Sequence, residues 1–346
     1  MNTNKPICVT GASGFIAAHI VEQLLSKGYQ VRGTVRNADN RQKYQYLYDL
    51  DRTNKRLELV SANLLEAEGF KSAVAGCEYI IHTASPYALN VKDPKKDLLD
   101  PAVNGTRFLL EAAMNCSEIK RIVLTSSVAA ITDSPSGDKV LTESDWNSKS
   151  SLKRNPYYYS KTAAEQEAWR IVKTEKPLFD LVVINPFVVI GPSYTPKLNT
   201  SNQILVDILT GQYPGIMNLT WGMVDVRDVA KAHILAMENE GASGRYLCAN
   251  RTITMKNLVE LLSNLEPNNS QVPKFNLISR PGNLLIRFAS YFQPLGVGSY
   301  LRTHIGKELK FDNGKIKREL GIKFIDLEKS IRDTIADLKK WQHLPN

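Results

Sequence analysis

The sequence predicts an α/β fold, with a doubly wound parallel sheet followed by a smaller C-terminal α/β lobe. Strand-like apolar runs alternate with helix-like segments from residue 7 to about residue 186. A glycine-containing turn joins the first strand to the first helix, and beyond residue 187 prolines break the alternation into shorter segments. We therefore expect one domain over residues 1–186 and mainly a second lobe over 187–346, with about 221–240 returning to the first domain.

Composition places the chain among ordinary globular proteins. The 346 residues are 43% hydrophobic and 23% charged, which is enough to bury a core in each domain. No apolar run approaches the roughly 20 residues of a membrane span, so we expect no membrane partner. The N-terminus runs into the first strand without an apolar signal region, which favours the cytoplasm.

The cysteines and basic residues give no sign of a metal site or of a nucleic-acid binding site. The four cysteines are far apart and lack metal-ligand spacing, so we expect buried thiols and no metal. The net charge of +9 is spread along the chain without an aromatic-interleaved basic cluster. We therefore expect no nucleic-acid partner, although the charge could steer an anionic cofactor.

The turn after the first strand has the pattern of a phosphate-binding site. Gly11 permits a sharp turn after Ile7–Thr10, and Gly14 lets backbone N–H groups approach an anion at the start of a helix predicted over 17–27. The glycines could simply permit an ordinary strand-turn-helix connection. However, the dinucleotide fingerprint requires a strand before the turn, a helix after it and then a second strand, and the sequence predicts that second strand over 30–35. The first domain is therefore expected to be of the Rossmann type.

The end of the second strand indicates which dinucleotide is bound. NAD-selective domains place a carboxylate there, whereas this chain has Arg36, followed by Arg41 and Lys43. Solvated loop arginines are common, but a cation at this position suits a 2′-phosphate. We predict NADP(H).

The middle of the first domain continues the alternation of strands and helices. We predict strands over 57–61, 79–83 and 121–125, a helix over 65–75, and another that starts at Asp100 and Pro101. His82 ends a buried strand and is interpreted as a packed residue, not a catalytic base. Ser126 and Ser127 follow the fifth strand, where parallel sheets bind ligands.

A polar connection over 132–156 leads to a helix that carries Tyr157 and Lys161. These two residues are four apart and so share one helix face. Alone they could be a surface pair. Together with the phosphate turn, the basic strand end and the serine pair, they suggest catalysis.

The second half shows helices near 201–210, 227–238 and 326–341. Asp225, Arg227 and Asp228 are interpreted as structural, with Asp228 at the start of a helix. The segment over 281–305 is rich in large apolar residues. An interfacial membrane helix is conceivable there, but its prolines and glycines favour packing within the lobe.

Taken together, these motifs resemble the extended short-chain dehydrogenase/reductase superfamily, within it the dihydroflavonol reductase-like carbonyl reductases, over nearly the whole chain. The matching motifs are T-G-A-S-G-F-I (Thr10–Ile16), T-V-R (Thr34–Arg36), H-T-A-S (His82–Ser85), V-N-G-T (Val103–Thr106), L-T-S-S (Leu124–Ser127), Y-x-x-x-K (Tyr157–Lys161), N-P (Asn185–Pro186) and V-D-V-R-D-V-A-K-A-H (Val224–His233).

The resemblance implies NADPH-dependent reduction of a carbonyl, with Ser127, Tyr157 and Lys161 as the catalytic set. Ser127 would hold the carbonyl oxygen, Tyr157 would donate the proton, and Lys161 would lower the phenol pKa and bind the nicotinamide ribose. The cofactor residues that it implies are Gly11, Ser13, Gly14, Phe15, Ile16, Arg36, Lys43, Asn63, Leu64, Thr83, Ala84, Ser85, Thr125, Tyr157, Lys161, Pro186 and Val188.

Two positions depart from the family pattern. Ala17 stands where relatives usually have a third glycine, and Asn63 stands where they commonly have an aspartate facing the adenine. An amide oxygen can still accept that hydrogen bond. A methyl group at position 17 is tolerable but could reduce cofactor affinity.

The expected substrate is a largely apolar aldehyde or ketone, bound by a monomer or homodimer. The segments implied to line the pocket, over 85–89, 128–132, 187–190 and 213–223, are mostly aromatic and aliphatic. Ile131 and Thr132 lie where plant dihydroflavonol reductases commonly have an asparagine. Dihydroflavonol reduction, a sugar-nucleotide epimerase or dehydratase, and a non-catalytic NADP(H) sensor remain the alternatives.

Overall fold

The computed structural model describes residues 5–53, 55–86 and 91–345. Tyr87 to Leu89, which the sequence analysis places beside the substrate, lie outside these ranges. The strands in chain order are β1 (Ile7–Thr10), β2 (Val31–Val35), β3 (Leu57–Ser61), β4 (Tyr79–His82), β5 (Arg121–Thr125), β6 (Val140–Leu141), β7 (Asp180–Pro186), β8 (Val188–Ile190), β9 (Thr220–Asp225), β10 (Gly244–Cys248), β11 (Arg251–Thr254) and β12 (Lys310–Phe311).

Helices connect and cover these strands. They are α1 (Phe15–Ser26), α2 (Gln45–Tyr48), α3 (Glu68–Val74), α4 (Asp100–Met114), α5 (Pro156–Glu175), α6 (Thr200–Leu209), α7 (Val226–Glu238), α8 (Met255–Leu265), α9 (Arg280–Ala289), α10 (Leu295–His304), α11 (Gly314–Glu319) and α12 (Leu327–Lys340). None of the helices in the described ranges has the length and apolar character needed to cross a bilayer.

A seven-stranded parallel sheet forms the larger part, in the order β10-β7-β5-β4-β1-β2-β3. The chain winds outward from β1 in both directions, so the strand order reverses between β1 and β4. In such sheets the crevice at the carboxyl ends of the strands binds ligands. The predicted doubly wound α/β class is confirmed.

Two apolar layers cover this sheet. Side chains of α1 and α7 pack on one face, among them Leu24 and Val229. Side chains of α3, α4 and α5 pack on the other, among them Phe70, Leu109 and Ile171. Burial on both faces explains why the strands have continuous apolar runs rather than alternating ones.

The predicted strands over 57–61 and 121–125 match β3 and β5 in extent, whereas two helices differ in their starts. Helix α1 begins at Phe15, directly after the glycine turn, and not at Ala17. Helix α3 begins at Glu68 and not at Leu65, because Asn63 accepts a hydrogen bond from the Leu65 amide and its carbonyl accepts one from the Glu66 amide. That local turn competes with helix formation.

The smaller lobe contains a three-stranded sheet in the order β11-β9-β8, with β11 antiparallel to β9. Side chains of α6, α8 and α12 form its core, including Leu205, Leu258 and Ile331. Between these lobe segments, α7 packs beside α1 and β10 pairs with β7 in the large sheet. The segment that rejoins the sheet thus runs to Cys248, beyond residue 240, while the domain boundary at 186/187 stays a prediction.

The expectation that 281–305 packs into the lobe is wrong for one face of α9. Helix α9 buries Gly282 and Ile286. Leu284, Leu285 and Phe288 are 66%, 58% and 66% exposed. The reason is that only one stripe of this short helix meets the lobe.

Candidate active site and cofactor cleft

Thr10 joins the ends of β1 and β4 at the ligand-binding edge of the sheet. Its Oγ1 accepts hydrogen bonds from the amides of Thr83 and Ala84, each at 3.1 Å, and lies 2.7 Å from His82 Nδ1. Burial and the nearby Lys161 charge lower the pKa of His82 to about 3. The imidazole is therefore neutral and packed, as the sequence predicted.

The glycine turn after β1 needs glycine at its first position. Gly11 has φ of +65°, and a Cβ there would lie 3.1 Å from the Cα of Ala84. The Gly11 amide donates to Thr34 Oγ1 at 2.9 Å, which ties the turn to β2. The left-handed backbone conformation disfavours any residue with a side chain, and a Cβ would also press against Ala84.

Helix α1 presents an uncapped N-terminus beside this turn. Gly14 is its N-cap residue and supplies no side-chain hydrogen bond, and its first turn contains no acidic residue. Ser13 is exposed, and Phe15 and Ile16 are half-buried. Free N–H groups and the positive end of the helix dipole fit a pyrophosphate.

Ala17 is compatible with this arrangement. Its side chain is buried in the core on the α1 face of the sheet, and a Cβ on Gly14 would lie 3.9 Å from that of Ala17. The methyl group that replaces the third glycine is therefore accommodated by packing.

The remaining predicted cofactor residues lie at the ends of neighbouring strands. Arg36 follows β2 and is exposed, and Lys43 is exposed in the next loop, with its Nζ 5.5 Å from the centre of the Tyr44 ring. Asn63 follows β3, and its Nδ2 donates to Glu66 at 3.1 Å. Leu64 packs among the apolar side chains of α3 and α4. The others lie at or just after the ends of β4, β5 and β7, namely Thr83, Ala84, Ser85, Thr125, Pro186 and Val188.

Helix α5 carries Tyr157 and Lys161 on one face. It begins at Pro156, which suits a first helical position, after Asn155 in the left-handed conformation at φ 48°. Tyr157 is half-buried. Lys161 is only 8% exposed, and its Nζ donates to the carbonyl of Thr125 at 3.3 Å. Burial lowers the pKa of Lys161 to about 8, against the opposing effect of the Glu165 carboxylate.

Ser127 lies on the segment that α5 covers. It is buried, and its Oγ accepts a hydrogen bond from the Ala129 amide at 3.1 Å at the start of a short 3₁₀ helix. From α5, Thr162 Oγ1 donates to the Ala129 carbonyl at 3.3 Å. The structure therefore brings the segments that carry Ser127, Tyr157 and Lys161 to the same edge of the sheet.

A buried polar network behind these residues was not predicted from the sequence. Glu165, one turn after Lys161, pairs with Arg245 Nε at 2.6 Å, and both side chains are buried. Asn185 Nδ2 donates to Glu165 at 2.9 Å and to the Ser127 carbonyl at 3.2 Å. The four-residue spacing of Glu165 from Lys161 could have predicted that the two share a helix face. Arg245 lies 80 residues from Glu165 in sequence, so no local pattern predicts their ion pair.

The lobe also contacts the start of α5. The amide of Asn155 donates to Ser299 Oγ at 3.0 Å, and its Nδ2 donates to Thr303 Oγ1 at 3.0 Å. The ring of His304 stacks on Tyr300 at 4.1 Å and lies 5.7 Å from Tyr158. Burial lowers the pKa of His304 to about 4, so this stack is neutral near pH 7.

The predicted apolar pocket lining is largely wrong, because many of these side chains pack into cores instead. Ile131 and Phe187 belong to one buried cluster with Leu247. From 213–223, the side chains that lie in the lobe core are Met217, Leu219, Trp221 and Met223. The half-buried members in the described ranges, which remain available to a ligand, are Ser85, Pro86, Val128, Thr132, Val188, Tyr213, Ile216, Asn218 and Thr220.

The acidic cluster before α7 has structural contacts, and Asp228 lies in the first turn of that helix, as expected. Asp225 is the N-cap residue, because it accepts from the Arg227 amide at 2.8 Å. Arg227 also bridges Asp225 and Asp333. Asp228 instead accepts from the Ile325 amide, which ties α7 to the closing segment.

Comparisons with known proteins agree with this geometry. The model of the family described as "NAD dependent epimerase/dehydratase family" matches residues 7–249. Cinnamoyl-CoA reductase CAD2 of Medicago truncatula is 38% identical over 344 residues, covering 98% of this chain and 97% of the relative. Tetraketide alpha-pyrone reductase 1 of Arabidopsis thaliana is 35% identical over 347 residues, covering 98% and 96%.

A solved structure is similar over the same extent. The structure of yeast methylglyoxal/isovaleraldehyde reductase Gre2 complexed with NADPH has a TM-score of 0.82 and 27% sequence identity. The match covers 97% of this chain and 99% of that one. The likeness therefore includes the lobe as well as the large sheet.

Proposed function

This chain belongs to the NAD dependent epimerase/dehydratase family and is an NADP-dependent oxidoreductase, and from that premise we propose that it reduces a largely apolar aldehyde or ketone to an alcohol. The observation that carries this proposal is the buried Lys161 ammonium one helical turn after Tyr157. In the described part of the chain its hydrogen-bond partner is a backbone carbonyl, that of Thr125. N–H groups of this ammonium are left for a ligand.

The cofactor is assigned to the crevice at the carboxyl ends of β1, β2 and β4. The α1 N-terminus with Gly11 and Gly14 would hold the pyrophosphate, and Arg36 would pair with the 2′-phosphate. Lys161 would bind the nicotinamide ribose hydroxyls. When bound, NADPH supplies the hydride.

The protein side chains supply orientation and the proton. Ser127 Oγ would donate a hydrogen bond to the substrate carbonyl oxygen, and Tyr157 would transfer its phenolic proton to that oxygen as it becomes an alkoxide. The Lys161 ammonium would stabilise the resulting phenolate, since an opposite charge nearby favours the ionised form.

The apolar part of the accessible lining supports an apolar substrate. Val128, Val188 and Tyr213 are half-buried, and Tyr158 on α5 and Tyr300 beside it add aromatic surface. Such a lining binds through apolar burial, at about 25 cal/mol per Å². Hydroxyl groups of a polyhydroxylated flavonoid left unpaired there would cost about 1–3 kcal/mol each.

A substrate panel tests this proposal. We expect kcat/KM with NADPH to be higher for an aromatic aldehyde or an aliphatic ketone than for a dihydroflavonol. A dihydroflavonol preferred by more than about tenfold, a difference of about 1.4 kcal/mol, would contradict this assignment of the pocket. Turnover of only charged or phosphorylated carbonyls would contradict it equally.

An acyl-CoA thioester is a second candidate, and a basic depression near the site favours it. A depression of about 420 Å³ is lined by 134–137, Lys149 and 306–308, so it holds two lysines and one carboxylate, that of Glu308. Lys307 Nζ donates to Ser134 Oγ at 2.5 Å, and burial together with Arg154 and Lys149 lowers the pKa of Lys307. Crowded cations of this kind favour a phosphate-bearing substrate.

Matched substrates separate these two candidates. If a CoA thioester is the substrate, Lys149→Ala with Lys307→Ala raises KM for a cinnamoyl-CoA thioester and leaves KM for the corresponding free aldehyde unchanged. If the aldehyde is the substrate, the thioester shows no turnover in either protein.

Two other readings have less support. A sugar-nucleotide epimerase would be expected to prefer NAD, and the exposed Arg36 at the end of β2 favours NADP(H) instead. A non-catalytic sensor of NADP(H) would need the turn and Arg36 but would not need Ser127, Tyr157 and Lys161. Measurable NADPH oxidation in the panel argues against the sensor.

A further inference from the structure

The surface formed by Leu284, Leu285, Phe288, Tyr291, Phe292 and Leu295, here called the α9 patch, is large and apolar. Tyr291 and Phe292 are 72% and 77% exposed, and Leu295 is 40% exposed. The patch follows the outer face of α9 and continues through a 3₁₀ turn over Ser290–Phe292 into the start of α10. Contiguous exposed apolar surface of this kind marks an interaction site.

The α9 patch is internally ordered. Phe288 and Phe292 meet edge to face with ring centres 5.6 Å apart. The Arg302 guanidinium lies 4.5 Å from the centre of the Tyr291 ring and donates to the Ser290 carbonyl at 3.0 Å. The apolar side chains are therefore presented by a folded support.

The segment that carries the α9 patch has charged residues of one sign. From residue 267 to residue 307 the sequence contains no aspartate or glutamate. The same stretch carries Lys274, Arg280, Arg287, Arg302 and Lys307. None of these five cations forms an ion pair within the described ranges. Exposed apolar side chains next to cations without an ion pair are complementary to a partner that has an apolar interior and an anionic surface.

We propose that the α9 patch binds the surface of an anionic phospholipid bilayer, with the apolar side chains in the headgroup region and the basic residues against lipid phosphates. Leucine and aromatic residues on one helix face beside lysine and arginine are the features of interfacial membrane binding. A second copy of the chain is a poorer occupant, because pairing this face with itself would bring cations against cations. Peripheral binding of this kind would replace the expectation of no membrane partner and does not depend on the proposed reaction.

Vesicle flotation of the full chain tests this proposal. Vesicles of phosphatidylcholine alone are compared with vesicles of equal parts phosphatidylcholine and phosphatidylserine, at low and at high salt. We expect binding to the anionic vesicles only, weakened by salt because exposed charges are screened. No binding to the anionic vesicles at low salt would overturn the proposal.

Paired variants separate the apolar contribution from general surface effects. Leu285→Ser with Phe292→Ser should weaken vesicle binding by more than about tenfold, since two large side chains no longer enter the interface. Leu178→Ser, at an apolar residue that is 84% exposed on the other domain, is the control and should leave binding unchanged. All of these positions are exposed, so the variants keep the fold and the turnover of a soluble carbonyl substrate.

Charge reversal completes the test. Arg280→Glu with Arg287→Glu should weaken binding by more than about tenfold, since each basic residue near an anionic surface contributes about fivefold. Lys197→Glu with Lys323→Glu makes the same change in net charge at exposed positions elsewhere and should have little effect. An equal loss of vesicle binding in both pairs would mean that only the net charge of the protein matters. Conversion of a dimer to a monomer by the α9 patch variants would identify the patch as a subunit interface. Either result would overturn the proposal.

Discussion

The cofactor end of the large sheet and the outer surface of the lobe differ in how they present groups to a ligand. At the cofactor end, the N-terminus of α1 offers main-chain N–H groups beside a turn that Thr34 holds through the Gly11 amide. At the lobe, α9 offers exposed side chains such as Phe288 on a short helix. Main-chain sites depend on a few glycines at fixed spacing, whereas the lobe surface depends on which helix face packing leaves uncovered.

The largest expected effect tests whether the proton donor is Tyr157, which lies beside the large sheet and not in the lobe. Tyr157→Phe should lower kcat at least ~100-fold, the usual size of a lost positioned proton donor. NADPH binding, measured by fluorescence titration, should remain nearly intact because the phosphate turn is untouched.

Tyr159→Phe is the matched control for this change, since Tyr159 lies on the same helix without a lysine four residues later. Its kcat should stay near that of the unmodified protein. Substantial turnover by Tyr157→Phe would move the proton donor elsewhere, with Tyr158 beside the lobe as the next residue to test.

A second change tests the charge at the cofactor end. Arg36→Asp should reverse the preference for NADPH over NADH, because a charge-assisted contact to the 2′-phosphate contributes about 1.5–3 kcal/mol, or some tens-fold in affinity. The measurement is kcat/KM for each cofactor. Arg52→Asp changes the net charge equally at another exposed position and should leave the preference as it is. Equal use of both cofactors by the unmodified protein would make Arg36 a plain surface residue.

A third pair compares the same glycine conformation at the cofactor end and in the segment after α11. Gly11 and Gly321 have φ of +65° and +62°, but only Gly11 would place a Cβ against its neighbour Ala84. Gly321→Ala should lower the free energy of unfolding by about 1–2 kcal/mol, the cost of the left-handed conformation.

Gly11→Ala should cost more than this and should also weaken NADPH binding about tenfold, because the strand ends must separate. Thermal unfolding and cofactor titration of both variants measure these effects. Equal losses of stability, with no change in NADPH binding, would show that the close approach to Ala84 does not matter.

The smallest expected effect is the pH dependence of kcat. It shows whether the group that titrates is Lys161, beside the large sheet, or His304, in the lobe. The Lys161 pKa is lowered to about 8 by burial, so its positive charge is present below that pH and is lost as the pH rises through it. With saturating substrates, kcat should therefore fall as the pH rises through about 8. The neutral His304 of the lobe, with a pKa of about 4, would instead produce a change at acid pH. A kcat that is constant between pH 7 and 9 would contradict the role given to Lys161.

Most of the fold and the cofactor end could be predicted from sequence, because strand and helix periods and short glycine turns are local. Strands β3 and β5 matched in extent. The predicted cofactor residues lie at or just beyond the ends of neighbouring parallel strands, at the start of α1, on α5 (Tyr157 and Lys161) or, for Lys43, in a 3₁₀ turn after β2. Their roles toward a ligand remain predictions. The prediction of the pocket lining was largely wrong, because an apolar residue such as Ile131 can pack in a core as well as line a pocket.

By itself the sequence determined the order of strands and helices, the turn at Gly11 and the spacing of Tyr157 from Lys161, since each depends on residues a few positions apart. Only the tertiary structure decided that Glu165 pairs with Arg245, that α10 holds Asn155, and that α9 leaves Phe292 uncovered. These features join segments far apart in the chain, and their energies come from burial and close packing. A sequence pattern records that a side chain is apolar or charged, but the partner that covers it is selected by the whole fold.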